Sequence, residues 1–176
     1  MSIPGTERVN CIKALGILLD DSLTFKAHVA SACSTAAQSL YAIKILKAHG
    51  MDPKSISSIC SATVVSRLTY AISAWWSFVR AADKEKLQAV INRAKRWGFC
   101  GETCPSIADI CAKRECKLFN SVLINLSHVL HHLLPPEKHL LYSLRPRAHN
   151  RELPDKTNSL YAKNFLTRLL YYPLQQ

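Results

Sequence analysis

From Phe25 to Ile43 the chain repeats apolar or small residues at steps of four, four, three, four and three: Phe25, Val29, Cys33, Ala36, Leu40 and Ile43. That spacing places them on one stripe of an α-helix and dictates a partner surface along its length. Thr24 is the expected cap of this helix, and Gly50 closes it in a left-handed conformation. Asp52 and Pro53 then start another, since a carboxylate accepts free amide protons at a helix start and proline suits the first turn.

The same reading extends down the chain. Ile56, Ile59, Cys60, Thr63 and Val64 keep helical spacing, and the segment then turns apolar through Leu68, Tyr70, Ile72, Trp75, Trp76 and Phe78. This predicts one central helix over 53–79, broken near Arg67 and buried on most faces. Asp83 is the expected cap of a third helix, 84–98, with Leu87, Val90, Ile91, Ala94 and Trp97 inward. A fourth starts at Ser106, carries Ile107, Ile110, Cys111, Leu118, Val122 and Leu123 inward, and reaches as far as His132 before Pro135 and Pro136 stop it. After residue 135 the chain is proline-punctuated and basic, which predicts extended surface chain; a short helix over 157–171 ends it. Only CIKALGILLD, residues 11–20, has the short apolar texture of a buried strand, with Gly16 as a bulge or close approach. The expected fold is therefore mainly α. A short N-terminal strand and turn (1–22) precede a bundle of four to five helices (23–134) and a basic tail with a short terminal helix (135–176). A single strand needs partners outside itself.

Twenty-three Lys and Arg against twelve Asp and Glu give a net charge of +11, which favours polyanionic partners, nucleic acid before an anionic membrane surface. No apolar run approaches the roughly 18 residues of a membrane span, and MSIPGTERVN lacks the apolar core of a secretory signal. The seven cysteines, odd in number and set in apolar segments, read as reduced thiols. The basic residues nominated for phosphate contact are Arg93, Lys95 and Arg96 on the third helix, and Arg145, Arg147 and Arg151 in the tail. Guanidinium groups along an extended chain can reach successive phosphates.

Four segments, KALGILLDDSLTFKAHV, RLTYAISAWW, INRAKRWGF and HNRELPDKTNSLYAKNFLTRLLY, together resemble the C-terminal end of reverse transcriptases from non-LTR retrotransposons, the LINE class, and most of all its Jockey-like branch. The resemblance spans nearly the whole chain. It implies the last palm strand, a thumb and a tail that grip an RNA or RNA–DNA duplex through its backbone against an upstream palm domain. It also implies Mg²⁺ for an intact parent enzyme. The aromatic-x-Asp-Asp motif of such enzymes is not in this sequence, so the chain alone is expected not to polymerise. The alternative is a non-enzymatic helical interaction module, or a transposon remnant without function, with Trp75 and Trp76 exposed for a partner.

Three other groups carry competing readings. Asp20 and Asp21 are adjacent, so on a strand they point to opposite faces and do not form a two-metal cage; a turn in which Asp21 or Ser22 helps start the next helix is expected. Cys100, Cys104, Cys111 and Cys116 could hold a structural zinc as four thiolates, although their spacing is not that of a zinc knuckle and buried cysteines are common. His128 and His132 share a helical face, a two-ligand arrangement without the H-E-x-x-H pattern, and read as helix-end histidines.

Overall fold

The structure is a computed structural model that describes residues 9–101, 104–138 and 149–171. It is mainly helical, with a short antiparallel hairpin at the N-terminal end. The chain forms two compact units, Met1–Ile110 and Cys111–Gln176.

In the first unit, the apolar run at 11–20 is not one strand. It folds back on itself as β1 (Cys11–Ala14) and β2 (Ile17–Asp20), with Ala14 opposite Ile17 and Cys11 opposite Asp20. The two intervening residues, Leu15 and Gly16, both have positive φ, 48° and 85°, the backbone of a tight hairpin turn that glycine favours. Gly16 is thus a turn residue, and the strand supplies its own partner.

Helix α1 (Lys26–Ala48) is the spine of this unit, packing against β2, the following helical segment and α5. Its buried stripe is Phe25, Val29, Ala32, Ala36, Leu40 and Ile43, with His28 beside it; Cys33 is only half-buried. Thr24 does not cap α1. Phe25 precedes the helix in a left-handed conformation, while Thr24 is turned back to bond Asp20. At the other end Gly50 has φ 85°, Gly50 N–H donates to Lys47 O and Met51 N–H to Leu46 O, the paired bonds of a Schellman closure.

Asp52 caps α2 (Pro53–Cys60) as expected, accepting the amide protons of Lys54 and Ser55 at 3.0 Å each. The helical path continues through a π-turn (Ser61–Val65) into α3 (Ser66–Leu68). Ile56, Cys60, Val64 and Leu68 are buried at a strict four-residue step. In a regular α-helix that step drifts by about 40° each time. The wider π-turn takes up the drift and keeps the row on one side. The helix breaks at Thr69–Ala71, where Ala71 has φ 46°, before the single turn α4 (Ile72–Trp75). The segment is buried along one stripe rather than on most faces, because Ser57, Ser58, Ser61, Ala62, Ser66 and Arg67 are exposed.

Helix α5 (Ala81–Arg96) begins three residues before the expected start at 84. Asp83 is a buried first-turn residue that pairs with Lys86 at 2.6 Å, and the capping position falls to Arg80. Leu87, Val90, Ile91 and Ala94 are buried as expected.

Helix α6 (Ile107–Ile124) opens with a reciprocal cap: Ser106 Oγ accepts the Asp109 amide proton, and the Asp109 carboxylate accepts the Ser106 amide proton and hydroxyl. It stops at Ile124, not His132. Beyond it come turns and a 3₁₀ turn (His131–Leu133), with the Asn125 side chain accepting the Ser127 amide proton.

The second unit is centred on Phe119, Leu169 and Leu170, with Leu123, Leu134, Phe165 and Leu166 packed around them. Its terminal helix is broken into α7 (Ser159–Lys163) and α8 (Phe165–Tyr171) because Asn164 turns to ψ 142°. Glu115 is buried within this unit and receives both terminal nitrogens of Arg168. Leu160 of α7 is exposed.

Candidate nucleic-acid interface

Of the six basic residues nominated from sequence, Arg93, Lys95 and Arg96 lie in the last turn of α5. Arg93, Arg96 and Trp97 share a face, being three and four residues apart. Arg93 and Arg96 are exposed and have no ion pair among the described residues. Lys95 sits on the opposite side, where its charge is felt by the Cys100 and Cys104 thiols and by Asp109.

Two lysines of α1 join this end of α5, and sequence reasoning missed both. Lys44 Nζ lies 5.7 Å from the centroid of the Trp97 ring. Lys47 Nζ donates to Trp97 O at 2.7 Å and lies 5.6 Å from the centroid of Phe99. The approach is possible because Gly98 has φ 69° and no side chain; a Cβ there would meet Lys47 Nζ at 3.2 Å. Gly98 N–H donates to Lys95 O and Phe99 N–H to Ala94 O, so α5 ends in the same Schellman closure as α1. Two helix C-termini, both electronegative ends, are thus lined with cations. Trp97 stays 38% exposed, with Phe99 buried beneath it at 5.5 Å between centroids. Chemically the arrangement offers phosphate-directed cations around one accessible aromatic face. The available signal was the Lys44/Lys47 pair one turn before Gly50, which becomes informative only once α1 is known to pack on α5.

Arg151 belongs to a different setting. Its side chain is 13% exposed and is held by Glu137 at 3.1 Å and by Pro135 O at 3.3 Å. It bridges two strand-like segments through the Glu137–Arg151 backbone pair. Arg145 and Arg147 lie outside the described residues.

The aspartate pair is divided by its hydrogen bonds. Asp20 accepts the Thr24 amide at 2.7 Å and the Thr24 hydroxyl at 2.5 Å, while Asp21 accepts only the Ser22 hydroxyl. The Thr24 hydroxyl, then its amide, hold the Asp20 carboxyl below the usual carboxylate range. Asp20, rather than Asp21 or Ser22, organises the turn. Among the cysteines nominated for zinc, Cys100 lies against Cys60, Sγ to Sγ 3.1 Å, a partner outside the expected set. The Cys60 contact first, and burial second, push the Cys100 thiol up; the same contact lowers Cys60. Cys111 is buried on α6 and Cys116 half-buried. No group of three or more His, Cys, Asp or Glu suited to a metal ion occurs among the described residues. The histidines do not share a helix: His128 Nδ1 accepts the Leu130 amide proton and His131 Nδ1 is bonded to Val122 O at 2.7 Å.

Trp75 and Trp76, which only the alternative reading exposes to a partner, are largely covered. Trp75 is fully buried and donates its indole N–H to Tyr70 O at 2.9 Å. Trp76 is half-buried, with Lys84 Nζ 4.6 Å from the centroid of its ring. Among the described residues no helix is long and apolar enough to cross a membrane. Comparison with family models, curated proteins and solved structures finds no match for this chain.

Proposed function

We propose that this chain holds an RNA or RNA–DNA duplex through its phosphates, in the manner of the thumb of a non-LTR retrotransposon reverse transcriptase. The observation that supports the reading is the gathering of Lys44 and Lys47 of α1 at the C-terminal end of α5, whose last turn carries Arg93 and Arg96 beside the partly exposed Trp97. The net charge of +11 supports it as well. The contacts would be with the backbone, blind to sequence, and would release counterions. On this reading the chain adds no nucleotide itself, and an upstream palm domain with Mg²⁺ would supply that chemistry.

Fluorescence anisotropy with a labelled RNA–DNA duplex tests the proposal. Affinity should fall steeply between 50 and 200 mM salt, as phosphate contacts require. Replacing Arg93 and Arg96 by Gln should weaken binding to all duplex sequences alike and reduce the salt slope by about 2, roughly one per lost contact. Binding that does not respond to salt, or an unchanged slope in that variant, would refute it.

A further inference from the structure

The first unit contains a cleft of about 570 Å³ on a different set of residues, within the size range of small-molecule sites. One wall is the α1 face of His28, Ser31, Ala32 and Thr35, which share a side at helical spacing. The facing wall is Ala62, Thr63, Ser66 and Arg67, presented by the π-turn and α3. The hairpin closes one end with Lys13 and Leu18, which are register partners and so lie on one face. Tyr70 completes it. Its hydroxyl donates to Leu15 O at 3.1 Å, and its ring lies 3.4 Å from where a Cβ on Gly16 would stand.

The chemistry of the lining is one-sided. It holds two cations, Lys13 and Arg67, and no carboxylate. Neither cation has an ion pair among the described residues. The hydroxyls of Thr35, Thr63 and Ser66 each donate to a helix carbonyl four residues back. His28 is 7% exposed, and its Nε2 is buried without a hydrogen-bond partner. A buried polar atom without a partner is costly unless something outside the protein satisfies it. Apart from Ser31, the remaining lining is apolar or aromatic: Gly16, Leu18, Ala32, Ala62 and the Tyr70 ring. The lining thus offers cations to an anionic group and an apolar and aromatic surface to a flat ring.

We propose that this cleft binds a phosphate monoester carried on an aromatic nucleoside, with Lys13 and Arg67 holding the phosphate and the Tyr70 side of the cleft taking the base. The site is separate from the cations around Trp97 and does not depend on the duplex-binding reading. The phosphate-bearing nucleoside has two sources, a free mononucleotide or the 5′ end of a strand.

Isothermal titration of the whole chain tests it with four probes: AMP, adenosine, inorganic phosphate and a 5′-phosphorylated tetranucleotide. AMP should bind with a submillimolar Kd, and adenosine and phosphate at least about tenfold more weakly, since each lacks one half of the recognition. Lys13→Gln and Arg67→Gln, both at exposed positions, should each weaken AMP about tenfold, a typical loss for a charged hydrogen bond. Arg93→Gln/Arg96→Gln should leave AMP binding unchanged. Ala62→Phe, which fills the cleft from an exposed position, should abolish it, with circular dichroism confirming the fold of each variant. A tetranucleotide that binds as tightly as AMP identifies a strand end as the source; one that binds at least tenfold more weakly identifies the free nucleotide. The assignment is overturned if AMP does not bind, if adenosine equals AMP, or if the Lys13 and Arg67 variants bind as the parent does.

Discussion

His28 shows how one buried side chain sets a pH dependence. It packs edge-on against Trp75, 5.1 Å between centroids, and burial holds its pKa below the ordinary 6.5. The folded state therefore takes up its proton at lower pH than the unfolded state does. The stability that neutral His28 provides is complete above about pH 6.5 and is lost as pH falls from there toward the folded value. Urea midpoints between pH 7.5 and 5 should drop for the parent and drop less for His28→Leu. An equal drop in both would assign the effect elsewhere. Thiols sort in the same local way. Cys11 is exposed, whereas Cys60 and Cys111 are buried and Cys100 is raised by its partner. Iodoacetamide at pH 8 should modify Cys11 first and Cys60, Cys100 and Cys111 last, as read by peptide mass spectrometry. At this scale the sequence was partly legible. Asp52 could be read as a cap because capping involves residues two and three positions away. Gly16 could not be assigned to a turn without knowing that 17–20 pairs with 11–14. Asp83 was misplaced because its partner, Lys86, lies inside the helix it was expected to begin.

Elements were legible where a stripe was local and obscure where tertiary contacts chose the boundary. The stripe of α1 and the core of α5 emerge from spacing alone. The break expected near Arg67 falls four residues on, at Ala71, and the end of α6 at Ile124 does not emerge, because Leu126, Val129 and Leu130 follow it. Lys44 and Lys47 escaped notice for a related reason: their role depends on α1 lying beside α5. The closure of α5 gives a direct test. Gly98→Ala puts a side chain into a left-handed backbone and against Lys47 Nζ. It should destabilise by about 1 kcal/mol, the usual cost of losing glycine at such a position, measured by denaturant unfolding. Because Lys47 must then move, duplex affinity should fall in the same variant. In the second unit Phe119 is fully buried among Leu169, Leu170 and Phe165. Phe119→Ala should cost about 3–5 kcal/mol, the range for emptying an aromatic core site. A loss below about 1 kcal/mol in thermal or denaturant unfolding would mean that Phe119 does not anchor that core.

For the whole molecule the charge imbalance has two opposite consequences. Twenty-three cationic residues against twelve acidic ones, with three ion pairs recorded among the described residues, leave the fold under self-repulsion that salt screens. The melting temperature of the free protein should rise between 50 and 500 mM NaCl, while duplex affinity falls over the same range. A melting temperature that fell with salt would show that attractive pairs, not repulsion, dominate its electrostatics. The net charge was plain in the sequence; its concentration at the ends of α1 and α5 was not, since it arises from residues 44 to 97 meeting in space. The π-turn at Ser61–Val65 has a consequence of another kind. Its five residues sweep about the same angle as four residues of ordinary α-helix, so deleting one would restore regular winding and leave α2 and α3 nearly in phase. Ile56 and Cys60 would still align with Val64 and Leu68, on a path shorter by about 1.5 Å. Diverged copies of this chain should therefore accept the loss of one of the exposed residues 61–63 more readily than a loss elsewhere in α2.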